Sequence, residues 1–175
     1  NIEWQHCYGG TLPDYGIDIE LTSDGGYFLV GDAESYDDDI IGSHGTKDIW
    51  ACKIDSAGII QWSRCLGGWN LDMPASCVNT ADGGYLIAGT TASNDSNVTD
   101  NHGPMGSPDS WVIRLNNQGH ILWKKCYGGS GSDNGKKIIL TADNGFFLTS
   151  SSTSQDGDVS IHPGYSNMWL VRADS

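Results

Sequence analysis

The stretch Asp109-Ser-Trp-Val-Ile-Arg-Leu-Asn-Asn-Gln-Gly-His-Ile-Leu-Trp-Lys-Lys-Cys-Tyr-Gly-Gly129 reads as a strand, a tight turn and a second strand. The chain writes the same phrase at Asp48-Ile-Trp-Ala-Cys-Lys-Ile-Asp-Ser-Ala-Gly-Ile-Ile-Gln-Trp-Ser-Arg-Cys-Leu-Gly-Gly68. Its second half alone stands at Ile2-Glu-Trp-Gln-His-Cys-Tyr-Gly-Gly10, and its first half alone at Asn167-Met-Trp-Leu-Val-Arg-Ala-Asp174. Working outward from this phrase, the copies align through Asp14, Asp72 and Asp133 to a second turn, at Thr22-Ser-Asp-Gly-Gly26, Thr80-Ala-Asp-Gly-Gly84 and Thr141-Ala-Asp-Asn-Gly145. Trp4, Trp62 and Trp123 lie 58 and 61 residues apart, and the three extra residues fall around Pro104-Met-Gly106. A period of this size with turn signals inside it means stacked supersecondary units.

One unit contains four expected strands, at about 17–22, 27–32, 48–54 and 59–66. The turn at Asp24-Gly25-Gly26 becomes Asp143-Asn144-Gly145 in the third copy, and Gly and Asn are the residues that most readily take a left-handed backbone. The second strand (Tyr27, Phe28, Leu29, Val30) is apolar on both faces, as covering from both sides requires. In the fourth, Ile60 and Trp62 alternate with Gln61 and Ser63, as at an outer edge with one wet side. No helix signal occurs. Four antiparallel strands per unit, inner strands apolar all round and the outer one half polar, is the pattern of a β-propeller blade. A sandwich would not repeat side chain for side chain, and a solenoid coil would not hold two tight hairpins. The expected class is therefore all-β: a β-propeller with three four-stranded blades, at residues 9–66, 67–127 and 128–175, and residues 1–8 as a spare outer strand.

In this register Ser175 aligns with Ser56 and Asn1 with Ile59, so the third blade lacks its outer strand. Two arrangements fit. Two chains exchange outer strands and make a closed six-blade dimer, or the chain is three blades of a longer array. An initial Asn in place of Met suggests a processed or excised piece.

The totals narrow the partners. Nine basic against 22 acidic side chains give −13, which argues against nucleic acid and anionic membranes. No apolar run approaches the ~20 residues of a membrane span. Of five cysteines, Cys7, Cys65 and Cys126 repeat one position and read as small, mostly buried apolar residues, while Cys52 and Cys77 are extra.

The pattern Asp-x-Trp-Val-x-(Lys/Arg)-Leu-(Asp/Asn)-x-x-Gly-x-Ile-x-Trp-x-x-Cys-(Tyr/Leu)-Gly-Gly, followed by Thr-x-Asp-Gly-Gly-Tyr, resembles the propeller repeats of large secreted proteins of Bacteroidota, often exported by the type IX route. The hairpin ending in Trp is also similar to quinoprotein-type blades. The resemblance spans essentially the whole chain and implies a secreted or cell-surface location, with little about chemistry.

Candidate functional residues lie in the polar loops, which a propeller gathers on one face. An Asp-x-(Asp/Asn) pair recurs as Asp37/Asp39, Asp95/Asn97 and Asp156/Asp158. Hard oxygens at this spacing suit calcium, while the alternative is an Asx turn that caps its own backbone. His44, His102 and His162 follow, as candidate metal ligands or as loop locks. Asp14, Asp72 and Asp133 in the blade-to-blade loops are expected to fix turns or pair with neighbouring loops. Trp69 is the one tryptophan out of phase, placed to stack on a sugar ring or to fold back onto its blade. No catalytic residue set emerges. The leading expectation is a non-enzymatic, secreted or cell-surface binding or adhesion module with repeated sites on one face, with glycans as the candidate ligands. The alternatives are a structural spacer or self-assembling filament subunit, and a glycan-active enzyme for which Asp37-Asp38-Asp39 is the sole hint.

Overall fold

The computed structural model describes residues 1–104, 106–160 and 164–174, and no helix is present among them. The strands are β1 (Asp14–Leu21), β2 (Tyr27–Ala33), β3 (Asp48–Ile54), β4 (Ile60–Leu66), β5 (Asp72–Asn79), β6 (Tyr85–Thr91), β7 (Asp109–Leu115), β8 (Ile121–Tyr127), β9 (Asp133–Leu140), β10 (Phe146–Ser152) and β11 (Asn167–Ala173). They form three separate antiparallel sheets, ordered β1-β2-β3-β4, β5-β6-β7-β8 and β9-β10-β11, here sheets 1 to 3.

Local chemistry explains the hairpins. In the first turn of each unit the Asp accepts from both the Thr hydroxyl and a Gly amide, as Asp24 does from Thr22 at 2.5 Å and Gly26 at 3.1 Å. The residue between them is left-handed, with φ of 81° at Gly25, 82° at Gly83 and 67° at Asn144, which is why only Gly and Asn occupy it. The first strand of each sheet carries a bulge at one equivalent place, between Gly16 and Asp18, between Pro74 and Ser76, and opposite Thr149/Ser150. Pro74 is tolerated there because a bulged edge strand needs no donor at that point.

Packing follows from the two-faced middle strands. Side chains alternate across a strand, so Tyr85 and Ile87 of β6 meet sheet 1 while Leu86 and Ala88 meet sheet 3. Against sheet 1 they join Phe28, Val30, Ile49 and Ala51, with the Phe28 and Tyr85 rings stacked at 3.9 Å. Against sheet 3 they join Ile138, Phe146 and Leu148. Strands β6 and β7 are buried along their whole length, but β11, at the open edge of sheet 3, is half-exposed throughout. Burying a side chain of the size of Phe28 contributes about 1.5–3 kcal/mol.

Residues 1–8, expected as an outer strand, form no ladder among the described residues, since strand structure needs a hydrogen-bonded neighbour and none stands beside them. They lie on sheet 1. Tyr8 Oη donates to the Gly58 carbonyl at 2.7 Å, His6 Nε2 is 3.1 Å from the Ala57 carbonyl, and the Trp4 ring is 6.4 Å from Tyr27. Cys65 and Cys126 are buried as expected, whereas Cys7 is exposed because its segment is covered on one side only.

Phe28→Ala is expected to lower the unfolding free energy by about 3–5 kcal/mol in urea titration. Leu122→Ala, on the exposed side of β8, should change it by about 0.5 kcal/mol or less.

Candidate functional site

The long loop after the second strand of each unit and the Gly-Gly segment that enters the unit's first strand are knitted together by one network, repeated three times. Its centre is the Asp that begins the first strand. Asp14 Oδ2 accepts from the Gly10 amide at 2.8 Å and the Ser35 hydroxyl at 2.7 Å. Asp72 Oδ2 accepts from Gly68 at 2.7 Å and Ser93 at 2.8 Å, and its other oxygen accepts from the Thr91 hydroxyl. Asp133 Oδ2 accepts from Gly129 at 2.9 Å and Ser154 at 2.6 Å. The serines at this position escape sequence reading, because a lone Ser in a polar loop carries no signal of its own. Only the threefold recurrence of Ser35, Ser93 and Ser154 in register hints at them.

The Asp-x-(Asp/Asn) pairs serve the same network. Asp37 accepts from the Thr11 amide at 2.9 Å and hydroxyl at 2.8 Å, and Asp39 from the Gly9 amide at 3.2 Å. Asp95 accepts from the Trp69 amide at 2.9 Å and Asn97 from Gly67 at 3.4 Å. Asp156 accepts from Ser130 at 2.7 Å and Asp158 from Gly128 at 3.4 Å. The middle residue of each triplet is left-handed, at 52° in Asp38, 49° in Ser96 and 65° in Gly157. These side chains therefore tie one loop to another, bonding amides 26 or 30 residues away rather than capping their own turns as in an Asx turn. Among the described residues no three His, Cys, Asp or Glu side chains gather as a metal-ligand set. The Gly-Gly pair is required by this closeness: a Cβ on Gly10, Gly68 or Gly129 would collide with Asp37, Asp95 or Asp156.

Two of the expected histidines lock their loops to the start of the third strand. The His44 amide donates to Asp48 Oδ2 at 2.9 Å and its Nδ1 lies 2.8 Å from the same oxygen. For His102 and Asp109 Oδ2 the distances are 2.9 and 2.6 Å. His162 lies outside the described residues. Asp48 and Asp109 carry no signal in the sequence because each heads an otherwise apolar strand. Each is fully buried beside the network Asp of the following sheet, Asp48 near Asp72 and Asp109 near Asp133, with Gly67 and Gly128 between them.

Electrostatics follow burial. Desolvation pushes the Asp72 carboxyl above its ordinary range despite the hydrogen bonds it accepts, and does the same for Asp109, helped by the Asp133 charge and opposed by His102. Around Asp14 burial also raises the carboxyl, but the donors Gly10, Ser35 and Glu34 outweigh it and the net direction is down. At the opposite end of the sheets each hairpin Asp meets a cation of the third strand, as Asp24 with Lys53 at 3.0 Å and Asp82 with Arg114 at 2.5 Å. The Thr80 hydroxyl chiefly, with the Gly84 amide and Arg114, holds the Asp82 carboxyl down at about 2.

Trp69 stands apart from this network. Its amide is tied to Asp95, yet its side chain is 69% exposed on the loop face. The equivalent residues Thr11 and Ser130 are also exposed.

The third sheet carries Asn167 where sheets 1 and 2 carry Asp48 and Asp109. Asp109→Asn is therefore expected to fold. An acid raised in the folded state contributes most below its unfolded value of 3.8 and loses that contribution as pH rises through its folded pKa. The wild type should lose this increment on going upward from about pH 4, and Asp109→Asn should show a flatter profile of unfolding free energy over the same range. No protein-family model matches the chain and no curated protein is significantly similar to it, so the reading of the site rests on its geometry.

Proposed function

We propose that the three sheets are blades of a β-propeller, and that the protein is a non-enzymatic, secreted or cell-surface binding module whose loop face takes a glycan. Support for the propeller comes from how successive sheets meet. The first strand of each following sheet lies across the preceding one, β5 against β1, β2 and β3, and β9 against β5, β6 and β7, while β4 and β8 stand at the outside. Sheets that approach through their first strands and spread toward their last are arranged as a fan, as blades are.

The observation that carries the binding reading is Trp69. Its backbone is fixed by the network, so its indole is presented on a rigid base, and an aromatic face with few rotatable bonds binds at low entropic cost. The apolar face of a sugar ring suits such a surface. The acidic run favours binding over turnover, because Asp37 and Asp39 are engaged with Thr11 and Gly9. Repeated loops on one scaffold add avidity to weak single contacts.

Binding of the chain to an immobilised glycan panel tests this. Trp69→Ala, which removes an exposed side chain and leaves the fold intact, should weaken any glycan bound by about tenfold or more, or ~1.4 kcal/mol. A panel that captures nothing, or a variant that binds as well as the wild type, sinks the glycan reading.

A further inference from the structure

Sheet 1 meets sheet 2, and sheet 2 meets sheet 3, through the same positions of the repeat, and the molecule displays both halves of that junction once more without a partner. On the free face of sheet 1, Ile19 and Leu21 of β1 are 55% and 65% exposed, while Cys77, which matches Ile19 in β5, is fully buried. On the free face of sheet 3, Met168 and Leu170 of β11 are 85% and 56% exposed. Their counterparts Ile49 and Ala51 in β3, and Ser110 and Val112 in β7, are fully buried. Apolar patches of this kind on an open sheet edge mark an interface.

Residues 1–8 say what fits. They carry the outer-strand phrase and sit on sheet 1 as β4 sits on sheet 2 and β8 on sheet 3. The Trp4–Tyr27 separation of 6.4 Å matches 5.8 Å for Trp62–Tyr85 and 6.1 Å for Trp123–Phe146. His6 approaches the Ala57 carbonyl at 3.1 Å as Arg64 approaches the equivalent Gln118 carbonyl at 3.3 Å. This segment occupies the place of the outer strand of a sheet that would precede sheet 1, and it pairs with no strand among the described residues. The outer edge of β11 lacks just such a strand among the described residues.

We propose that two copies of this chain close into a six-sheet ring, the residues 1–8 of each pairing as fourth strand with β11 of the other. Cys7 then lies opposite Trp169 as Cys65 lies opposite Trp50 and Cys126 opposite Trp111. Trp4 covers Phe147 as Trp62 covers Phe28, whose rings are 5.8 Å apart. Met168 and Leu170 turn onto Ile19. The contact joins two different surfaces, so it must either close or propagate. Two copies of this chain supply six sheets, within the about 4–8 that rings of this architecture hold.

Molar mass in solution, by light scattering at two concentrations at least tenfold apart, decides this. The expected value is twice 18.8 kDa at both. The double substitution Met168→Asp with Leu170→Asp changes only exposed side chains and should halve the mass. Cys7 should resist alkylation in the wild type, as a strand-paired thiol does, and react in that variant. A mass of 18.8 kDa for the wild type overturns the proposal and points to neighbouring sheets of a longer chain as the occupant. A mass that climbs with concentration overturns it in favour of open filaments, and a two-chain mass unchanged by the double substitution places the interface elsewhere.

Discussion

A sheet whose middle strands are apolar on both faces has to be covered twice, and this requirement governs nearly everything else in the chain. Sheet 2 meets it within the molecule, with Phe28 and Val30 on one side and Ile138 and Phe146 on the other. Sheets 1 and 3 meet it on one side each. The repeat is thus also a unit of burial, since no copy of it can satisfy its hydrophobic surface alone. Exposed Ile19 and Met168 are consequences of the same rule that buries Cys77 and Ile49.

Much of this architecture is legible in the residues. The exchange of Gly25 for Asn144 announces a left-handed backbone, and the alternation of Ile60 and Trp62 with polar neighbours marks the outer strand. The first strands begin earlier than expected, at Asp14, Asp72 and Asp133, because a carboxylate that gathers loop amides reads locally as a turn residue. The site was legible only in outline. Asp14, Asp72 and Asp133 gather loop amides; Asp48 and Asp109, at the heads of apolar strands, meet His44 and His102 four and seven residues back, and the serines that complete each hub are set by contacts 21 residues away along the chain. Local pattern carries no trace of such partners.

The acidic loops illustrate how one residue pattern supports two chemistries. Closely spaced carboxylates attract cations when their oxygens face an open turn, and they cap amides when a glycine backbone is near enough. Here the Gly-Gly segment wins the oxygens of Asp37, Asp95 and Asp156, since nothing larger than hydrogen stands on its α-carbons to hold it away. The same oxygens form a clasp between two loops.

That clasp divides the loop face into positions that can vary and positions that cannot. Both glycines of each pair are hemmed in, and the aspartates and serines around them are mutually dependent, but the very next residue is exposed to solvent. Thr11, Trp69 and Ser130 occupy that place. At Trp69 the clasp holds only the backbone amide, so that side chain can change without loosening it, whereas Thr11 also lends its hydroxyl to Asp37. The surface displayed at that one tip can change at little expense to how the chain folds.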